Sequence, residues 1–144
     1  WERIKDAEVE VSHVEPDYIL SGKVDLIEGE NGTLDIVDFK AEKKPDMERD
    51  KELIQRYKRQ LQIYAYIIEQ KTRKPVDRLR LYYTGDDTDG VPEIVFKNEP
   101  AKVQETIDEF TQVVHKIQCR DYTSRSASQM LCNNCDLRHF CKKN

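Results

Sequence analysis

Three charged residues are spaced so that they could act together on a phosphate ester. Asp38 and Lys40 are separated by one residue at the end of an apolar run. A strand there would place both side chains on one face. Asp25 precedes the turn signal of residues 28–32, which ends in Asn-Gly, and a hairpin centred near residues 29–32 brings residues 23–25 roughly opposite residues 36–38. The two carboxylates would then meet beside the lysine ammonium group.

Such a cluster has the chemistry of a metal site. Carboxylate oxygens are ligands that hard cations such as Mg²⁺ and Mn²⁺ prefer. A cation between Asp25 and Asp38 would offset their repulsion, polarise a phosphodiester and lower the pKa of a bound water. Lys40 could orient that water or stabilise developing negative charge. The same three residues also fit a surface hairpin with ordinary charges, so their types and spacing alone leave both interpretations open.

All four cysteines of the chain lie at its C-terminal end. Cys132, Cys135 and Cys141 have a spacing typical of metal or cluster ligands, because two thiolates separated by two residues can bind one metal. With Cys119 they could form a four-cysteine zinc site. The even count also permits two disulfides, but nothing in the sequence indicates secretion.

The first half of the chain must position the charged residues. Alternating apolar residues predict strands over residues 8–15, 18–28 and 33–40, which form an antiparallel meander. A glycine inside the second strand marks a bulge or a close backbone approach. The apolar spacing then becomes helical, and we predict a helix over residues 47–71 with Asp46 as its N-cap.

The second half completes an α/β pattern. Strands are predicted over residues 76–84 and 93–97, and Pro100 opens a second helix. The order β-β-β-α-β-β-α predicts one mixed sheet with helices packed on it. We expect a core over residues 1–118, with the cysteine-rich tail, residues 119–144, packed on the same domain.

Composition narrows the class of protein further. The 144 residues carry a formal net charge of −4, so the molecule as a whole does not attract nucleic acid. Residues 40–59 and the tail are nevertheless locally basic. No apolar run approaches the roughly 20 residues that span a bilayer, and there is no signal peptide, so we expect an intracellular protein. The chain begins at Trp1 without a methionine, and we expect a fragment of a longer protein.

The ordered set of motifs resembles the RecB-type branch of the PD-(D/E)XK nucleases. This branch includes AddB, the CRISPR-associated four-cysteine exonucleases and the nuclease tails of UvrD/Rep-like helicases. The resemblance spans about residues 18–141 and depends on four motifs in order: Gly22-x-x-Asp25, Asp38-Phe39-Lys40, Gln60-x-x-x-Tyr64 and Cys132-x2-Cys135-x5-Cys141.

The resemblance assigns roles to individual residues within a restriction-endonuclease-like fold. It implies that Asp25, Asp38 and the backbone carbonyl of Phe39 are metal ligands, and that Lys40 is the catalytic lysine. Gln60 and Tyr64 are one helical turn apart and would support the site near the path of the DNA. Tyr64 fits core packing equally well, because it also belongs to the apolar stripe of its helix.

Two departures from the family pattern concern segments upstream of the meander. The family has a helix there that completes the metal site, and its first cluster cysteine also lies upstream. We therefore expect a core without its first helix and a poorly active fragment. The resemblance implies a four-iron four-sulfur cluster in the intact parent, with zinc as the alternative. Cys119 is a doubtful ligand in either case.

The resemblance implies a Mg²⁺- or Mn²⁺-dependent deoxyribonuclease. We expect a single-strand exonuclease module of a helicase–nuclease in DNA repair or recombination, with DNA and a helicase domain or partner subunit as its partners. The alternative is a catalytically idle nuclease-fold module that binds DNA or a partner, although retention of Asp25, Asp38 and Lys40 argues against it. A zinc-ribbon interaction domain would explain only the tail.

Overall fold

The chain forms one five-stranded sheet and two helices in a computed structural model that describes residues 4–85 and 91–121. The element order β-β-β-α-β-β-α is the predicted one. The elements are β1 (Ile4–Val14), β2 (Ile19–Glu30), β3 (Thr33–Lys40), α1 (Lys51–Thr72), β4 (Val76–Tyr83), β5 (Glu93–Lys97) and α2 (Pro100–Gln118).

The sheet is mixed, as the sequence predicts. Its strand order is β1-β2-β3-β4-β5. Only the β3–β4 pair is parallel, and the other three pairs are antiparallel. A parallel pair needs a crossover connection, and α1 provides it between β3 and β4. This is the arrangement of a restriction-endonuclease-like α/β fold.

The β2–β3 hairpin has a register that differs from the predicted one. Leu26 pairs with Val37 and Ile27 with Ile36, whereas the sequence suggested residues 23–25 opposite 36–38. The turn residues are Asn31 and Gly32, both with positive φ. The expected turn centre lay one residue too early, and each residue of displacement shifts the pairing by two. The corrected register brings Asp25 and Asp38 closer together.

Helix α1 begins four residues later than predicted, and Asp46 is not its N-cap. The Asp46 carboxylate accepts hydrogen bonds from the backbone N–H groups of Glu48 and Arg49, each at 2.9 Å. These bonds close a separate turn before the helix, which starts at Lys51. The helix ends where Arg73 adopts a left-handed conformation and Pro75 follows shortly after.

The core lies between α1 and one face of the sheet. It combines apolar side chains from both layers, including Val24, Ile36, Leu61, Ala65, Ile68, Leu79, Leu81 and Tyr83, all at most 1% exposed. Thr106 of α2 donates a hydrogen bond from Oγ1 to Oε1 of the buried Gln62, at 3.0 Å, which joins α2 to α1. Helix α1 is therefore held on both sides.

Ion pairs tie the strands together on the opposite face of the sheet. The guanidinium group of Arg80 contacts both Glu28 of β2 and Glu93 of β5. Arg78 lies 2.6 Å from the buried Asp35 of the neighbouring β3. These contacts fix β3 between its neighbours, and β3 carries the residues of interest.

The chain divides into two compact units, residues 1–110 and 111–144. The described residues of the second unit, 111–121, contain the C-terminal end of α2. There the N–H of Cys119 donates a hydrogen bond to the carbonyl of His115. Cys132, Cys135 and Cys141 lie outside the described residues, so the cluster and the expected boundary at residue 118 stay predictions. Neither described helix is both long and apolar enough to cross a membrane.

Candidate active site

Strands β2 and β3 separate at the two aspartates. Their pairing extends as far as Leu26 and Val37, and the next residues along the two strands are Asp25 and Asp38. β3 meanwhile stays paired with β4 as far as Lys40. Oδ2 of Asp25 accepts a hydrogen bond of 2.8 Å from the N–H of Phe39, which holds this carboxylate against the β3 backbone.

Asp38 and Lys40 form an ion pair on one face of β3, as their spacing predicts. Asp38 is 5% exposed, and its Oδ2 atom lies 2.6 Å from Lys40 Nζ. Burial raises the pKa of the Asp38 carboxyl, the hydrogen bond and charge of Lys40 lower it, and the charge of Asp25 raises it again. The pKa is raised overall, so the ionised form of Asp38 destabilises the folded protein relative to its protonated form.

Gln60 and Tyr64 lie beside this pair, as the resemblance implied. Oε1 of Gln60 is 3.5 Å from Lys40 Nζ, and Nε2 of Gln60 donates a 3.0 Å hydrogen bond to the Tyr64 hydroxyl. Both residues come from one turn of α1. The structure thus links Asp38, Lys40, Gln60 and Tyr64 through consecutive side-chain contacts.

Tyr64 both packs against the core and belongs to the site. Its ring contacts β2 at Gly22, where a Cβ atom would lie 2.5 Å from Tyr64 Cε1. The close backbone approach that a glycine in this strand suggested is therefore to an aromatic ring. The ring packs against the core cluster while the hydroxyl accepts from Gln60. The two interpretations of Tyr64 are compatible.

Tyr57 and Glu42 are site neighbours that the sequence analysis missed. Lys40 Nζ lies 4.2 Å from the centre of the Tyr57 ring, a cation–π contact. The Tyr57 hydroxyl donates a 2.7 Å hydrogen bond to Glu42 Oε1. Tyr57 fits the apolar stripe of α1, and its place three residues before Gln60 puts it on the same helix face. That spacing was the available signal.

The remaining predicted ligand is the backbone carbonyl of Phe39. Its N–H is engaged by Asp25, and its side chain is 46% exposed and packs edge-on against Tyr82, with the ring centres 5.7 Å apart. The role of the carbonyl stays a prediction. His13 of β1, which no spacing marks as a ligand, packs edge-on against the ring of Tyr66.

The donor set fits part of a coordination sphere for Mg²⁺ or Mn²⁺. Asp25 and Asp38 offer hard carboxylate oxygens where two strands part. The raised pKa of Asp38 reflects a burial cost, with a contribution from Asp25, that a nearby cation would relieve. Within residues 4–85 and 91–121 no three His, Cys, Asp or Glu side chains converge as a complete site. Magnesium commonly binds one or two carboxylates and fills the other positions with water and substrate phosphates.

A groove adjoins the site on the side of Gln60 and Tyr64. Its volume is about 430 Å³, and β2, α1 and the last turn of α2 within the first unit line it. Arg56 and Arg59 contribute guanidinium groups, while Ile63 and Phe110 contribute apolar surface. The two residues shared with the site make the groove continuous with it.

Comparisons with known proteins identify the family and the fold. The family model of the PD-(D/E)XK nuclease superfamily matches residues 1–142. The crystal structure of SSO0001 resembles the chain with a TM-score of 0.56 at 15% identity, covering 94% of this chain and 59% of that one. A protein of Eubacterium rectale named "Putative exonuclease" gives a TM-score of 0.59 at 16% identity, covering 96% and 53%.

These solved proteins share the fold, and the chain spans a little more than half of their lengths. No curated protein matches the chain in sequence. The family match extends over nearly the whole chain and includes both aspartates, the lysine and the Gln-x-x-x-Tyr pair. The chain therefore belongs to the PD-(D/E)XK nuclease superfamily, whose members generally use Mg²⁺ or Mn²⁺.

Proposed function

We propose that this chain is the catalytic module of a divalent-metal-dependent deoxyribonuclease. The observation that carries the proposal is the convergence of Asp25, Asp38 and Lys40 where β2 and β3 separate. Two carboxylates and one ammonium group at a sheet opening suit phosphodiester hydrolysis.

Each residue has a separate role in this reaction. Asp25 and Asp38 would hold the cation, together with the Phe39 carbonyl. A divalent cation there supplies charge that polarises the phosphodiester and acidifies a bound water. Lys40 places a positive charge where negative charge develops on the phosphate. Gln60 and Tyr64 support the lysine and face the substrate.

The finer assignments depend on the motif resemblance. We propose that the module belongs to the RecB-like branch, degrades single-stranded DNA from an end, and works with a helicase domain or partner subunit. We also propose that Cys132, Cys135 and Cys141 bind an iron–sulfur cluster, or alternatively zinc, in the intact parent.

Cleavage of end-labelled single-stranded DNA in Mn²⁺ tests the nuclease proposal. Both residues 1–144 and the longest available parent protein are compared with their Asp38→Ala variants. We expect cleavage by the parent, little by residues 1–144, and none by either variant. Asp77→Ala is the matched control, because Asp77 is exposed and lies on β4 rather than at the site.

Other outcomes would change the assignment. If the parent protein and residues 1–144 both bind DNA without cleaving it, the catalytically idle module is favoured. Asp25, Asp38 and Lys40 would then be ordinary surface charges. Cleavage that survives Asp38→Ala would place the catalytic centre elsewhere. Robust cleavage by residues 1–144 alone would contradict the expectation that this fragment is poorly active.

A further inference from the structure

The groove beside the candidate active site combines basic and apolar surface. It carries two arginines, Arg56 and Arg59, whose side chains are exposed. It also carries apolar side chains at its rim, with Ile19 65% exposed and Phe110 38% exposed. Guanidinium groups suit phosphates, and exposed aromatic or aliphatic side chains suit the faces of unpaired bases.

The position of the groove next to Lys40 indicates which ligand it binds. Gln60 and Tyr64 line the groove, and Gln60 Oε1 lies 3.5 Å from Lys40 Nζ. A strand that occupies the groove would therefore continue directly to the lysine. The volume of about 430 Å³ is that of a small-ligand pocket and accommodates about one or two nucleotides rather than a duplex.

The apolar rim argues for unpaired nucleotides. In a duplex the base faces are stacked on one another, and a protein reaches only phosphates, sugars and base edges. Single strands expose base faces, and proteins that bind them combine basic and aromatic side chains along one groove. Ile19, Ile63 and Phe110 have no comparable use against a duplex backbone.

We propose that this groove binds the unpaired DNA nucleotides next to the bond that is cleaved. Arg56 and Arg59 contact backbone phosphates, and Ile19, Ile63 and Phe110 contact bases. The identity of the ligand rests on the nuclease function proposed above. Arg59 lies 3.4 Å from Glu109, so a phosphate must compete with that carboxylate.

Binding of a labelled eight-nucleotide oligothymidylate in EDTA, followed by fluorescence anisotropy, separates binding from cleavage. The double variant Arg56→Gln/Arg59→Gln should weaken binding about tenfold. It should also reduce the slope of log K against log salt by about 1.4, because each phosphate contact on a single strand contributes about 0.7. Lys51→Gln/Lys71→Gln removes the same charge from exposed positions of α1 outside the groove and should leave the slope unchanged.

Two further variants are expected to change the binding affinity in opposite directions. Glu109→Gln releases Arg59 from its carboxylate partner and should tighten binding severalfold. Ile19→Ser should weaken binding of oligothymidylate at least about threefold but leave an abasic oligonucleotide of equal length unaffected. The high exposure of Ile19 keeps this change compatible with folding.

Several results would overturn the proposal. These are equal losses in the two double variants, tighter binding of duplex or RNA than of single-stranded DNA, and no detectable binding by the wild-type chain. The nuclease proposal is contradicted by a different set of results. In one such result, the groove variants behave as expected while neither residues 1–144 nor the parent protein hydrolyses a phosphodiester in Mn²⁺. That result would support the groove proposal and contradict the nuclease proposal. If the wild type cleaves DNA but the Arg56→Gln/Arg59→Gln variant binds as tightly as the wild type, only the groove proposal is contradicted.

Discussion

The ring of Tyr57 lies against the ammonium group of Lys40, with Nζ 4.2 Å from the ring centre. The ring is anchored from its other end, because its hydroxyl donates to Glu42. Lys40 is thus contacted by a carboxylate, an amide and an aromatic face. A flexible side chain with four rotatable bonds is held in one direction by these contacts.

Removal of the Tyr57 ring should impair turnover rather than binding. Tyr57→Leu loses a cation–π contact of about 1–2 kcal/mol, so kcat should fall about tenfold while KM changes little. Tyr57→Phe retains the ring and should keep most of the activity. Steady-state kinetics of the active parent measure both values. Equal losses in the two variants would show that the hydroxyl, and not the ring, positions the lysine.

Asp38→Asn should stabilise the metal-free protein at neutral pH. The folded-state pKa of Asp38 is raised above its ordinary value of 3.8 by burial, so the charged form is disfavoured in the folded protein. This cost appears as pH rises through 3.8 and is fully present above the folded pKa. Urea unfolding of both proteins at pH 7 and pH 3 measures it, and we expect the difference to vanish at pH 3.

Mn²⁺ should reverse that order of stability. A cation that binds only the folded wild type stabilises it by about 2.7 kcal/mol at a hundredfold excess over Kd. Asp38→Asn lacks one carboxylate and should gain much less. Equal thermal shifts in the two proteins would mean that the metal binds elsewhere.

Gly22→Ala should cost about 1–3 kcal/mol, because the new methyl group overlaps the Tyr64 ring at 2.5 Å. Tyr64→Leu removes the ring, so the same glycine change in that background should cost far less. Urea unfolding of the four proteins gives the coupling energy. Gly29→Ala is the control, since the atoms nearest to its Cβ would belong to the flexible side chain of Lys5. Additive effects of the two changes would contradict the contact.

The turn before α1 should weaken in acid. Hydrogen bonds from the backbone of Arg49 and then of Glu48 lower the pKa of Asp46 below its ordinary value of 3.8. The stabilisation is therefore complete above pH 3.8 and is lost as pH falls through the lower folded value. Thermal unfolding of Asp46→Ala should show a lower Tm than wild type at pH 7, with a gap that narrows below pH 3.8. A constant gap would exclude the carboxylate as its cause.

The sequence predicted the fold well because its periodicities are strong. Alternation identified the meander, and helical spacing from Ile54 to Ile68 identified α1. The helix start was wrong because Asp46 has the same preference for a turn as for an N-cap, and only the backbone geometry distinguishes them.

The candidate site was predictable where chemistry and spacing coincide. The strand period placed Asp38 and Lys40 on one face. The helix period placed Gln60 and Tyr64 on one face, and the motif resemblance placed that face at the site. The spacing of Tyr57 from Gln60 was a signal of its position, but a tyrosine within an apolar stripe also has the pattern of a core residue, and no pattern pointed to Glu42. The groove requires β2, α1 and α2 to meet, and no local pattern encodes a meeting of distant elements.

Helix α1 carries the residues of both proposed roles, strand binding and lysine placement, on one continuous cylinder. Arg56 and Arg59 face the groove, while Tyr57 and Gln60 reach Lys40. One residue inserted between Tyr57 and Gln60 would rotate the rest of the helix by about 100°. The proposed strand contacts and the contacts to the lysine would then be disrupted in a single step, although every one of these side chains is retained. The separation of these residues along the helix is therefore a tighter constraint than the identity of any one of them.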